Sequence, residues 1–109
     1  MEPVEINAGA WYLRALREDE LMDDRPALAA LGETDRGYVA RCTAQWADDA
    51  GYTWAVCEPT TGEMLAEVKI DPLTARLTTR AREGHEDAAA TAEESVRRFA
   101  TSMLGLTIP

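Results

Sequence analysis

Histidine occurs once in these 109 residues, at position 85, and cysteine twice, at 42 and 57. A structural or catalytic zinc site needs about four nitrogen, sulfur or oxygen ligands within reach, and no CxxC pair is present. That excludes a conventional zinc centre and predicts no metal. Cys42 falls on an expected helix and Cys57 in an expected strand, so both read as buried thiols rather than as a disulfide or a nucleophile. Basic residues are also scarce. Eleven Lys and Arg stand against twenty Asp and Glu, for a formal net charge of −9 and a pI near 4.5. Nucleic acids and anionic lipid surfaces are bound by clustered Lys and Arg, so neither is an expected partner. No run approaches the 18 or more apolar residues of a membrane span, and Met1-Glu2-Pro3 opens no signal peptide. The expected location is therefore cytoplasmic.

What is present suits one globular domain, residues 1–109. A chain of this size hides roughly 65% of the surface that its unfolded form exposes, enough for a single core. Hydrophobic residues at 46% and charged residues at 28% are ordinary proportions for such a domain. No internal repeat, low-complexity tract or linker interrupts it.

Trp11–Leu16 reads as a first strand. Arg17-Glu18-Asp19-Glu20 opens a polar, helix-prone stretch that breaks near Asp24, restarts at Pro26 and closes at Gly32. Thr34-Asp35 offers caps for a second helix, Asp35–Asp49, whose apolar face carries Tyr38, Cys42 and Trp46, with Gly51 as its stop. Tyr52–Cys57 and Met64–Ile70 are rich in strand formers and flank a turn-forming segment, Glu58–Glu63: a hairpin. Met64, Ala66, Val68 and Ile70 share one parity, which predicts one dry face. From Leu73 to Arg82 apolar and polar residues alternate as in a strand with a basic outer face. Val96, Phe99, Ala100, Met103 and Leu104 fit the stripe of a last helix, whose start is offered either by Thr91 and Glu94 as a capping box or earlier, at Asp87, and whose end is Gly105. Leu106–Pro109 resembles the opening of a further strand. The expected fold is α/β (α+β), in the order β-α-α-β-β-β-α: a mostly antiparallel sheet of about four strands with three helices.

That order, with particular words in the sequence, resembles the GNAT superfamily of N-acetyltransferases, in its branch acting on N-terminal amines of ribosomal proteins. The words are Leu13-Arg14-Ala15-Leu16-Arg17-Glu18-Asp19 and Tyr38-Val39-Ala40-Arg41 leading to Gln45-Trp46-Ala47. Tyr52-Thr53-Trp54-Ala55-Val56 and Thr61-Gly62-Glu63-Met64-Leu65-Ala66-Glu67-Val68 follow, then Arg98-Phe99-Ala100 with Leu104-Gly105-Leu106. The resemblance covers most of the chain and matches the N-terminal half of the family fold. It implies acetyl-CoA as cofactor, bound where a strand turns into the central helix. There the family's Arg/Gln-x-x-Gly-x-Gly/Ala loop lets backbone amides approach the pyrophosphate.

On this sequence that loop is Arg82-Glu83-Gly84-His85-Glu86-Asp87-Ala88, and the partial match makes Arg82 and Gly84 the cofactor-binding candidates. One glycine remains and three carboxylates have entered. Two like charges about 4 Å apart repel by roughly 1 kcal/mol even at the dielectric of water. The family's later strands, which supply much of the acceptor site and its general acid, have no counterpart before Pro109, so no catalytic residue is assigned. The implied function is a GNAT-like N-acetyltransferase domain, weakened or inactive. The alternative is a non-catalytic interaction module on the same scaffold that associates with itself, and either reading predicts a homodimer through unpaired strand edges.

Several side chains carry sharper readings. Arg76, Arg80 and Arg82 form a basic surface that suits an anion clamp or a solvated strand face. His85 among carboxylates suits a proton switch or a plain loop residue. The acidic run Glu18–Asp24 lacks the spacing of a calcium loop and reads as a charged helix start. Trp11, Trp46 and Trp54 read as core.

Overall fold

A computed structural model describes all residues from Met1 to Pro109. Five antiparallel strands form one sheet in sequential order: β1 (Ile6–Ala8), β2 (Trp11–Ala15), β3 (Tyr52–Cys57), β4 (Met64–Asp71) and β5 (Arg76–Ala81). The helices are α1 (Arg25–Ala30), α2 (Tyr38–Asp48) and α3 (Glu86–Leu104). None is long and apolar enough to cross a membrane.

The sheet has one strand more than the sequence predicts. Ala8 faces Trp11 across a two-residue turn in which Gly9 has φ +61°. A positive φ in such a turn matches the twist of the flanking strands and is natural for glycine, so Gly9 makes the β1–β2 hairpin. Three residues are too few for a periodic signal, which is why the strand escapes a pattern reading.

Helices cover both faces. On one, α3 lays Ala92, Val96, Phe99 and Ala100 over Leu13, Trp54, Val56, Ala66, Val68 and Ile70. On the other, α1 and α2 bury Leu28, Val39 and Cys42 against Ala55, Cys57 and Met64. Central strand β3 is buried at every residue. The dry parity of β4 breaks at its start. Val56 pairs with Ala66 but Cys57 with Met64, so a bulge at Leu65 turns Met64 to the α1–α2 side.

Three boundaries differ from expectation. Arg17–Glu20 is not helical; residues 17–24 form a loop closed by the Asp24 amide donating to the Arg17 carbonyl at 2.9 Å. The cause lies in Asp24, whose carboxylate is buried and drawn inward by Arg14. Helix α2 starts at Tyr38 because Asp35 spends its side chain on the Gly37 amide, 2.8 Å away. It ends at Asp49, which takes the left-handed conformation (φ 56°) expected of Gly51. Gly51 lies beyond the helix, with the Gln45 side chain packed against it: a Cβ there would lie 3.0 Å from Oε1 of Gln45.

Strand β5 begins at Arg76 rather than Leu73, which is 94% exposed in the preceding turn. Helix α3 begins at Glu86, so Thr91 and Glu94 lie in its interior and form no capping box. Met103 leaves the apolar stripe and is exposed. Gly105 closes the helix with φ +64°. The segment after it forms no strand; its Leu106 and Ile108 lie half-buried against the core.

Candidate functional site

The sequence points to the passage from β5 into α3. The chain leaves β5 with the Arg82 amide donating to the Leu65 carbonyl at 2.9 Å, then turns tightly, the His85 amide donating to the Arg82 carbonyl at 2.9 Å. Gly84 sits inside this turn at φ +86°, a conformation that favours glycine. A Cβ at Gly84 would meet nothing within 4 Å, so the glycine serves the turn and leaves no cradle that a side chain would fill. His85 precedes the first helical residue, and its imidazole makes no capping bond. The first turn of α3 carries Glu86 and Asp87, both exposed.

The leading amides of a helix, with its dipole, place about half a positive charge at that end, which favours an anion. Here Glu86 and Asp87 supply the anions from within the chain.

Arg82 is directed elsewhere. Its guanidinium turns to the start of the neighbouring strand β4, donating to the Glu63 carboxylate at 2.5 Å and to the Met64 carbonyl at 3.4 Å. It lines a cleft of about 270 Å³ with Met22, Asp23, Pro26 and Ala27, on the α1 side of the sheet, whereas α3 packs on the opposite face. The two cofactor candidates are thus two residues apart in sequence, while the cation of Arg82 belongs to the α1 side.

The remaining arginines of the supposed anion clamp also find their partners inside the chain. Glu67 on β4 is 4% exposed and grips Arg80 with both oxygens at 3.0 Å, from Nε and Nη2. The Tyr38 hydroxyl donates to Glu67 Oε2 at 2.7 Å, and Arg80 Nη1 reaches Glu33 at 3.3 Å. Burial and the Glu67 carboxylate together raise the pKa of the Tyr38 phenol well above its ordinary value. Burial opposes the charge on Arg80, yet its bonds to Glu67 hold its pKa above the usual range. Only Arg76 is exposed and without an ion-pair partner.

A second buried ion pair anchors α1. Arg14 donates to Asp24 in a two-bond fork, 2.8 Å in each arm, and to the carbonyls of Ala15 and Gly62 at 3.0 and 3.1 Å. Asp24 also accepts from the Arg17 amide at 2.6 Å. Sequence reasoning misses both clusters. A signal exists on β4, where Glu67 is the one charge within Met64–Val68 and stands opposite Arg80 in the ladder.

Two solved structures share this arrangement. A putative ribosomal-protein-serine acetyltransferase from Vibrio cholerae superposes on 95% of the chain with a TM-score of 0.76 and 16% identity. An acetyltransferase from Agrobacterium tumefaciens str. C58 matches 94% with a TM-score of 0.66 and 22% identity. The chain has the GNAT fold. It spans 70% of the length of each of those structures. No protein-family model matches it, and no curated protein matches it in sequence.

Within this GNAT fold the carboxylates of Glu18–Asp24 start no helix: Asp19 accepts the amides of Leu21 and Met22, each at 2.9 Å, and Asp23 pairs with Arg25. Trp46 and Trp54 are core, while Trp11 packs half-buried against it. Cys42 and Cys57 are free and buried, and burial pushes the Cys57 thiol up to about 11, away from nucleophilic use.

Proposed function

We propose that this chain is an N-acetyltransferase-like GNAT domain in which the cofactor junction has lost its affinity for acetyl-CoA, leaving acyl transfer weak or absent. One observation carries the reading: the first turn of α3 already holds Glu86 and Asp87, the charge that a diphosphate would bring. A diphosphate arriving there displaces no water-filled cationic vacancy. It meets two carboxylates, while the one nearby guanidinium, Arg82, is engaged by Glu63. The residues present therefore do not fit the pyrophosphate of acetyl-CoA, and no catalytic step is derived through it.

The same carboxylates stabilise the helix that they guard. Each is worth about 0.3–1 kcal/mol against the helix dipole. Removing both charges should thus lower stability and raise affinity together, a coupled signature that a merely decorative pair would not give.

The test is calorimetric titration of acetyl-CoA into the native chain and into the double variant Glu86→Gln, Asp87→Gln at low salt. Repulsion of about 1 kcal/mol per charge predicts a gain of roughly ten- to thirtyfold in the variant. Equal binding by both proteins would refute the charge argument. Micromolar binding by the native chain would return it to the working enzymes.

A further inference from the structure

The cleft that Arg82 lines is walled by Thr61 and Glu63, from the tip of the β3–β4 hairpin, and that tip is braced from several sides. Within it, the Gly62 amide donates to the Glu58 carbonyl at 2.8 Å and the Glu58 amide to the Glu63 carbonyl at 3.0 Å. The Thr61 amide donates to the Glu58 carboxylate at 2.8 Å. From outside, Arg14, fixed in its fork with Asp24, donates to the Gly62 carbonyl. The Met22 methyl covers Gly62 so closely that a Cβ there would lie 3.1 Å from it. Glu63 is the next residue. Its carboxylate therefore meets Arg82 from a held loop rather than from a free chain.

Arg82 stands one residue past the end of β5. Its amide is tied to the Leu65 carbonyl, and its own carbonyl accepts from His85, the residue that precedes the first turn of α3. The ends of a four-residue turn of this kind lie within about 7 Å of each other, a gap that the long arginine stem crosses. One guanidinium thus has two stations that need no backbone movement, against Glu63 or beside the first turn of α3. The Glu63 contact is a surface ion pair, its two side chains 32% and 56% exposed, and such pairs are weak enough for one substitution to tip.

We propose that Glu63 is an internal competitor for Arg82: it keeps the one Lys or Arg between Ala81 and Asp87 on the α1 side and so withholds it from an anion at the α3 terminus. The proposal deepens the reading of the junction given above and rests on it, but the two claims are separate. Glu86 and Asp87 add negative charge where a diphosphate would sit. Glu63 takes away the positive charge that would answer it.

The test is a cycle of four proteins, native, Glu63→Gln, Arg82→Ala and the two changes together, each titrated with inorganic pyrophosphate at low salt. The amide signals of Gly84 and His85 in labelled protein report binding. Glu63→Gln should move them at concentrations about fivefold below those that the native chain needs, and adding Arg82→Ala should abolish that gain. In the native chain Arg82→Ala should change little, because the guanidinium is already engaged. Glu94→Gln, the same loss of charge at an exposed site further along α3, should give less than about twofold, since distant charges are screened. Equal responses of the native chain and Glu63→Gln, or none in either, would overturn the proposal. So would a gain that survives the loss of Arg82, or a native chain that loses affinity with Arg82→Ala. The charge reading fails on a different result, a Glu86→Gln, Asp87→Gln variant that binds no better than the native chain.

Discussion

Arg14→Ala is expected to destabilise the chain by about 3–5 kcal/mol, the cost of stranding a buried charge. Arg14 and Asp24 are among the most buried side chains, at 7% and 1% exposed, and each arm of their fork measures 2.8 Å. Desolvation opposes the charge on Arg14, yet its bond to Asp24 leaves the pKa above its ordinary value. Without the guanidinium, Asp24 keeps only the Arg17 amide, and the carbonyl of Gly62 loses its donor. Since domains of this size are stable by about 5–15 kcal/mol, roughly a fifth or more of the total is at stake. Chemical denaturation should show it as a lower midpoint with an unchanged slope. Replacing the pair together, Arg14→Met with Asp24→Leu, should cost much less than the single change, because no orphaned charge remains. A single variant as stable as the native chain would mean that the fork is open in solution.

The second large effect is expected at Trp54. It is fully buried, meets Trp46 edge-on at 5.0 Å and Phe99 at 5.5 Å, and its indole nitrogen donates to the Val4 carbonyl at 2.7 Å. Trp54→Ala removes the largest shared wall between β3 and α3, at about 3–5 kcal/mol for the cavity alone. Trp54→Phe keeps most of the packing and loses the hydrogen bond, so about 1–2 kcal/mol is expected. Thermal melts of the two variants should separate widely. If both melt together, the ring packing that phenylalanine retains contributes little, and the bond to Val4 dominates.

Much of this architecture is legible in the sequence because it rests on periodicity. The α3 stripe through Val96, Phe99 and Ala100, the β3–β4 hairpin and the closing Gly105 follow from spacing alone. The misses share a physical cause: long-range polar contacts override local preference. Arg17–Glu20 reads as helix-prone, but Asp24 must turn inward to Arg14, and the intervening residues are bent into a loop. Arg80 reads as a free cation, but Glu67, thirteen residues earlier, faces it across the ladder. A β-bulge at Leu65 likewise turns Met64 against its expected face, since parity counting assumes an unbroken pleat. The junction is legible as composition, in Gly84 and the carboxylates around it. Its decisive detail is not: the direction of the Arg82 guanidinium depends on Glu63, in the loop just before the neighbouring strand β4.

The charge relation at the α3 terminus is open to direct observation by amide chemical shifts. In a titration of isotopically labelled chain with coenzyme A at low salt, the amide signals of Gly84, His85, Glu86 and Asp87 should stay in place at millimolar ligand. Saturable movement of those four signals at micromolar ligand would show a diphosphate seated against the helix, and the account of a self-neutralised junction would be wrong.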